Sequence, residues 1–228
     1  MIVVKLFGGL GNQLFQYAFG RKISLETNQK LYLETKYGFK NDPYKRIYNL
    51  APFKIEENLL LNDSISIDLE NLKIDKYHWQ GKIKNYLLSI KRSHWQLIIE
   101  KNIAFDNSIQ IKKNNVYLDG YWQSEKYFKE IRNEILQDLQ LKNPLQNENA
   151  SISKKMLETS SVSVHIRRMH GIEMEGQNHH NIHGGLDLQY YQKALDIISK
   201  KEANLKLFVF SDDINWVKEN FKSVFPME

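Results

Sequence analysis

Ser161-Val162-Ser163-Val164-His165-Ile166-Arg167-Arg168 joins a short run of β-branched and small residues to an abruptly basic end. Ser161 to Val164 reads as a buried strand, and a histidine and two arginines follow where that strand should stop. In open α/β sheets ligands bind at the carboxyl ends of the strands, so an anionic group would be held here. The arginine fork donates two parallel hydrogen bonds and suits phosphate oxygens. Two readings follow: a diphosphate clamp, or a strand-end arginine pair bridging to local carboxylates.

The neighbouring segments fit the same architecture. Ile2 to Phe7 reads as a first strand, Gly8-Gly9-Leu10-Gly11 as a turn, and Asn12 as the N-cap of a helix to about Glu26. Leu14, Phe15, Ala18, Phe19 and Ile23 recur at helical spacing, and a second strand covers Lys30 to Glu34. This β-loop-α-β opening is that of a doubly wound domain. Helical stretches are expected between Lys82 and Glu100, and a strand over Val116 to Asp119. Ser124 is then expected to cap a helix whose core face is Phe128, Ile131, Ile135 and Leu139. Asn143-Pro144 and the polar residues to Asn149 mark a linker, dividing the chain into domains 1–145 and 146–228. The second begins with a short helix near Ser151 to Glu158 and the strand Ser161 to Val164. A long loop with four histidines follows, then a helix capped by Asp187, a strand over Leu205 to Phe210, and a helix capped by Asp212 or Asp213. Two strands are few for a doubly wound domain, so the second domain is expected to be incomplete.

Composition narrows the function classes. The chain has 228 residues, 42% apolar and 26% charged, as expected of a globular protein. It has no cysteine, hence no disulfide and no thiolate metal site. No apolar run reaches the ~18 residues of a membrane helix, and the N-terminus enters a strand without a signal-peptide core, so a cytoplasmic protein is expected. The net charge of +5 lies in residues 1–149, with much of it between Lys73 and Lys101 among Tyr77, His78, Trp79, Tyr86, His94 and Trp95. That mixture suits either peripheral contact with an anionic membrane surface or an ordinary solvated helical layer. The surplus is too small to indicate nucleic acid, and no such partner is expected.

Other positions carry weaker signals. Gly8 to Asn12 leads into a helix N-terminus, a natural site for an anion or a sugar hydroxyl, yet matches neither a P-loop nor Gly-x-Gly-x-x-Gly. The alternative is a tight packing turn. Asp212 and Asp213 offer a carboxylate to a guanine edge, a helix cap, or, with a missing third acid, a divalent cation. His179, His180 and His183 match no strong zinc pattern. Tyr121-Trp122-Gln123 suits either an acceptor site or core packing.

Taken together, the segments resemble glycosyltransferase family 11, the α-1,2-fucosyltransferases. The similar stretches are Gly8 to Ala18, Gly120 to Phe128, Val164 to Arg168, His183-Gly184 with Leu188 to Tyr191, and Phe210 to Asp213 with Trp216, in family order over the whole chain. The resemblance implies an α/β, GT-B-like fold of two Rossmann-like domains, the second incomplete here. It implies inverting, metal-independent transfer of fucose from GDP-β-L-fucose to the 2-hydroxyl of a galactose-terminated glycan, with no cofactor. By that analogy Arg167 and Arg168 neutralise the diphosphate, and His165 with Asp212 or Asp213 holds guanosine. Gly9, Gly11 and Asn12 approach the sugar or phosphates, with His183 and Ser211 also on the donor side. Tyr121, Trp122 and Gln123 would form the acceptor side.

The chain departs from the family pattern twice. Met169-His170-Gly171 follows the double arginine where Gly-Asp-Tyr is usual, so the base is expected among His170, Glu173 and Glu175. A Ser-x-Phe-Ser-Trp-Trp-type segment is expected several dozen residues further on, beyond Glu228. Two other readings therefore stand beside the first: a shortened nucleotide-sugar-binding protein of little or no activity, and a transferase using another GDP-sugar.

Overall fold

The computed structural model describes residues 1–55, 58, 94–167 and 186–228. They form two compact units, Met1–Asn143 and Pro144–Glu228.

The first unit is a parallel α/β sheet. Its elements are β1 (Ile2–Lys5), α1 (Leu10–Thr27), β2 (Leu31–Glu34), β3 (Trp95–Ile99) and β4 (Asn115–Asp119). The strand order is β2-β1-β4-β3, all parallel. The chain leaves β1 toward β2 on one side and returns on the other side, placing β4 next to β1. This reversal is a topological switch point, the place where open parallel sheets bind ligands at the carboxyl ends of their strands.

Alternation along the strands builds both faces of the sheet. Ile2, Val4 and Leu6 pack with Leu31, Leu33, Val116 and Leu118 against Tyr17, Ala18, Phe19 and Ile23 of α1. Val3 and Tyr117 face the other way, with Met1, Tyr32, Trp95 and Leu97 packed against them. Helix and sheet approach closely at Gly20, where an added Cβ would lie 2.2 Å from Cγ2 of Val4.

Several elements differ from the sequence expectation. Helix α1 begins at Leu10, with Gly9 as its N-cap and no side-chain cap, so Asn12 lies inside the first turn. Trp95–Ile99 is a strand and not the end of a helix, because it pairs with β4 along its full length. Residues 82–93 of that expected helical region, and most of the basic cluster, lie outside the described residues. The helix expected after Ser124 is two short 3₁₀ turns, Glu125–Tyr127 and Lys129–Ile131, followed by α2 (Arg132–Asp138). Phe128, at φ −143°, interrupts the helical course, and the Ser124 side chain makes no capping bond. Ile131 and Ile135 are nevertheless buried.

The second unit comprises α3 (Asn147–Leu157), β5 (Ser160–Ile166), α4 (Leu188–Ser199), β6 (Leu205–Ser211) and α5 (Ile214–Asn220). β5 and β6 are parallel and in register from Ser160–Leu205 to Ile166–Ser211. β5 is longer than Ser161–Val164 and is not buried throughout: only Val164 and Ile166 are. They pack with Leu207, Tyr191 and Leu195 of α4, Val217 of α5, and Phe221. Asp187 caps α4 as expected, accepting from the Tyr190 amide at 2.8 Å.

No helix among the described residues is long and apolar enough to cross a membrane. Gly20→Ala is expected to destabilise the first unit by ~1–3 kcal/mol through overpacking against Val4 and Leu31. Chemical denaturation of the variant measures this, and an unchanged midpoint would contradict the close helix–sheet contact.

Candidate active site

The carboxyl ends of β1 and β4 carry loops that α1 holds from behind. Gln13 and Gln16 of α1 are fully buried amides. Gln13 Nε2 donates to the Gly8 carbonyl and to the Ile47 carbonyl, both at 3.0 Å, and Oε1 accepts from the Asn49 amide at 2.9 Å. Gln16 Oε1 accepts from the Phe7 amide at 3.1 Å. The loop after β1 is thus fastened from beneath at Phe7 and Gly8. Gly8 has φ +78°, and a Cβ there would meet Asn12 Nδ2 at 2.4 Å, so glycine is required by the turn itself.

Gly9 and Gly11 differ. A Cβ at either would meet nothing within 4 Å, and neither has positive φ. The chain's own packing does not demand glycine at these positions. They flank the start of α1, whose first turn presents backbone N–H groups and contains no acidic residue.

The loop after β4 is held as well. The carboxylate of Glu100, just past β3, accepts from the Tyr121 amide at 2.6 Å and the Trp122 amide at 3.1 Å. Tyr121 is 39% exposed and its ring lies 4.6 Å from that of Phe7. Gln123 Nε2 donates to Asn12 Oδ1 at 2.7 Å, tying this loop to α1. Below Phe7, Lys5 pairs with Asp119 at 2.9 Å. Of the three residues expected on the acceptor side, Tyr121 and Gln123 are presented to solvent. Trp122 is buried, packed on Phe19 and Tyr127.

In the second unit the expected donor residues gather at the carboxyl ends of β5 and β6. His165 lies within β5, opposite Phe210, with its side chain on the exposed face. Its carbonyl accepts from the Tyr191 hydroxyl at 3.2 Å, and burial pushes the pKa of that phenol up. Ile166 is in register with Ser211, so Arg167 and Asp212 are the next residues out of adjacent strands. Asp213 is the cap of α5: its Oδ1 accepts from the Trp216 amide at 3.0 Å, and its own amide donates to Ser211 Oγ at 3.0 Å. Asp212 therefore does not cap the helix and stands exposed beside the Arg167 position. Arg168, His170, Glu173, Glu175, His179, His180 and His183 lie outside the described residues.

Sequence patterning missed Gln13, Gln16 and Glu100. The two glutamines are polar residues on a core-facing side of an otherwise apolar helix, directly after a glycine turn. That mismatch was the available signal. Glu100 carried none, because its role depends on the β3–β4 pairing.

Comparison with known proteins gives the family. The family model for glycosyl transferase family 11 matches residues 1–225. An alpha-1,2-colitosyltransferase from Escherichia coli is 31% identical over 225 residues, covering 99% of this chain and 73% of that protein. The O-antigen biosynthesis glycosyltransferase WbnK, also from Escherichia coli, is 28% identical over 225 residues, covering 95% and 74%. A crystal structure of the fucosyltransferase NodZ from Bradyrhizobium aligns with a TM-score of 0.46 at 13% identity, covering 96% of this chain and 74% of that one. With its whole length matched by the family model, the chain belongs to glycosyl transferase family 11 and is a glycosyltransferase.

Proposed function

We propose that the chain transfers a 6-deoxyhexose, fucose, from GDP-β-L-fucose to the 2-hydroxyl of a galactose-terminated glycan, with inversion and without a metal. The observation that carries this reading is the placement of Arg167 beside Asp212 at the carboxyl ends of paired parallel strands, in a chain of this family. In the proposal the two units take a GT-B-like arrangement, with the second holding GDP.

The acceptor oxygen attacks the anomeric carbon of the donor, and the bond from that carbon to the phosphate oxygen breaks. GDP departs with the bonding electron pair, and the hydroxyl proton passes to a base assigned to His170, Glu173 or Glu175. Charge accumulates on the leaving diphosphate. Arg167 and Arg168 neutralise it there, the task a divalent cation performs in other transferases. The N–H groups at the start of α1 offer further donors to sugar or phosphate, and Gly9 and Gly11 leave room for close approach. His165, Ser211 and one carboxylate of Asp212-Asp213 would hold the guanosine, and His183 would complete the donor side. Tyr121 and Gln123 would face the acceptor.

A second reading has support of its own. The relative at 31% identity is named for colitosyl transfer with α-1,2 linkage. Colitose lacks one hydroxyl of fucose, so the donors differ by a single polar group. A pocket built to bond that hydroxyl rejects the deoxy sugar by ~10⁴-fold or more, whereas an apolar pocket discriminates only ~10²-fold.

The test is transfer to a β-galactoside from GDP-fucose and from GDP-colitose, with EDTA present. The proposal expects fucosyl product, higher kcat/KM with GDP-fucose, and a loss of at least ~10-fold for Arg167→Ala, the order of one charged hydrogen bond. Preference for GDP-colitose would establish the second reading, and no transfer from either would overturn both. A variant of opposite signs separates binding from folding. Gly11→Ala, inside α1 and facing open space, is expected to raise stability by ~0.5–1 kcal/mol while weakening donor binding. Unchanged donor affinity in that variant would contradict the role given to Gly11.

A further inference from the structure

Beside β3 in the first unit lies a cavity of about 520 Å³, within the usual range for small-ligand sites. Among its lining residues are Glu100, Asn102, Phe105, Asp106, Trp122 and Tyr127. It is separate from the Gly8–Asn12 loop, yet one short segment reaches both. Tyr121 and Gln123 touch Phe7 and Asn12, while Trp122 between them turns into the core and lines the cavity.

Two observations point to a ligand. Trp122 has φ +56°, a left-handed backbone uncommon for a bulky residue, and strain of this kind collects at functional positions. The walls combine three aromatic rings with carboxylates and amides. Phe105 meets Tyr127 edge-on at 4.8 Å, and Trp122 meets Tyr127 edge-on at 5.7 Å. Hydrogen bonds from Ser108, ahead of the nearby Lys101, hold the Asp106 carboxyl below its ordinary range, so it stays ionised.

The charge of the walls selects the ligand class. Glu100 and Asp106 outnumber Lys101, so a phosphate or a nucleotide is repelled. The exposed Phe105 ring suits the C–H face of a pyranose, and carboxylates and amides suit its hydroxyls. We propose that this cavity is a saccharide subsite, holding the sugar unit next to the galactose that accepts the transferred residue. The proposal rests on the transferase reading above, and it adds a residue set that selects the acceptor by its second sugar.

The test uses the full chain labelled with ¹⁵N in its four tryptophans, with the Trp122 indole signal assigned by its loss in Trp122→Phe. Lactose and N-acetyllactosamine are titrated to about 50 mM, well above the ~1 mM dissociation constant of a weak site. The expected result is a saturable shift of the Trp122 indole signal, with saccharide affinity lowered about tenfold in Phe105→Ala, one aromatic contact's worth. GDP titration of the same samples reports the donor site separately. A Trp122 signal unmoved by both disaccharides overturns the subsite, even where GDP binds. A shift produced equally by inorganic phosphate overturns it as well. Failure of GDP to bind overturns the donor reading and leaves the saccharide titration to decide the cavity by itself.

Discussion

One buried carboxamide holds two loops of the first unit at the carboxyl end of β1. Gln13 sits at the bottom of the glycine turn with no exposure, and its three hydrogen bonds go to Gly8, Ile47 and Asn49. Two separate loops are thereby fixed to the first turn of α1. A buried amide is stabilising only when its donors and acceptor are paired, so the geometry of both loops is dictated by one side chain. Leucine would fill the same space and leave two carbonyls and an amide without partners. Gln16, one helical turn on, is tied by its oxygen to the Phe7 amide. With the turn held from behind, Gly9 and Gly11 can present bare backbone to open space.

The two units present different groups. The first carries neutral donors and acceptors: the helix start, Asn12, Gln123, and the backbone of the glycine turn. The Lys5–Asp119 pair below is self-compensated. The second carries Arg167, with Asp212 beside it at the end of β6. Such a division suits a reaction that joins a hydroxyl-rich acceptor to a sugar on a diphosphate. Glu100 links the first unit's surfaces. By accepting from two successive amides it sets a sharp turn after β4 that sends Tyr121 and Gln123 to one side and Trp122 to the other.

The parts legible in the sequence were those where local pattern and tertiary structure agree. Ile2 to Lys5, the glycine turn, the helical spacing from Leu14 to Ile23 and the Asp187 cap all satisfy local rules, and the fold keeps them. Asn12 resembles a cap, but the helix starts two residues earlier because Gly8 and Gly9 supply the turn, and its side chain goes to Gln123 instead. Trp95–Ile99 follows a basic amphipathic stretch and becomes a strand only through pairing with β4, a contact invisible to periodicity. His165 and Arg167 were placed at a strand end. The ladder with β6 runs two residues further than the apolar run suggests, which keeps His165 inside the strand. Gln13 and Gln16 escaped notice because polar residues on a buried helical face run against the rule used to find that face.

Hydrogen exchange at the Asn49 amide tests the role of Gln13 most directly, since that N–H donates to nothing but its Oε1 in the bonds described above. In the wild-type chain this loop amide is expected to exchange as slowly as amides in β1. In Gln13→Leu its exchange should quicken by roughly ten- to a hundredfold, the measure of ~1–3 kcal/mol for a buried polar group left unpaired. Exchange at the rate of an exposed loop in the wild type, or an unchanged rate in the variant, would contradict the claim that one amide holds the two loops in place.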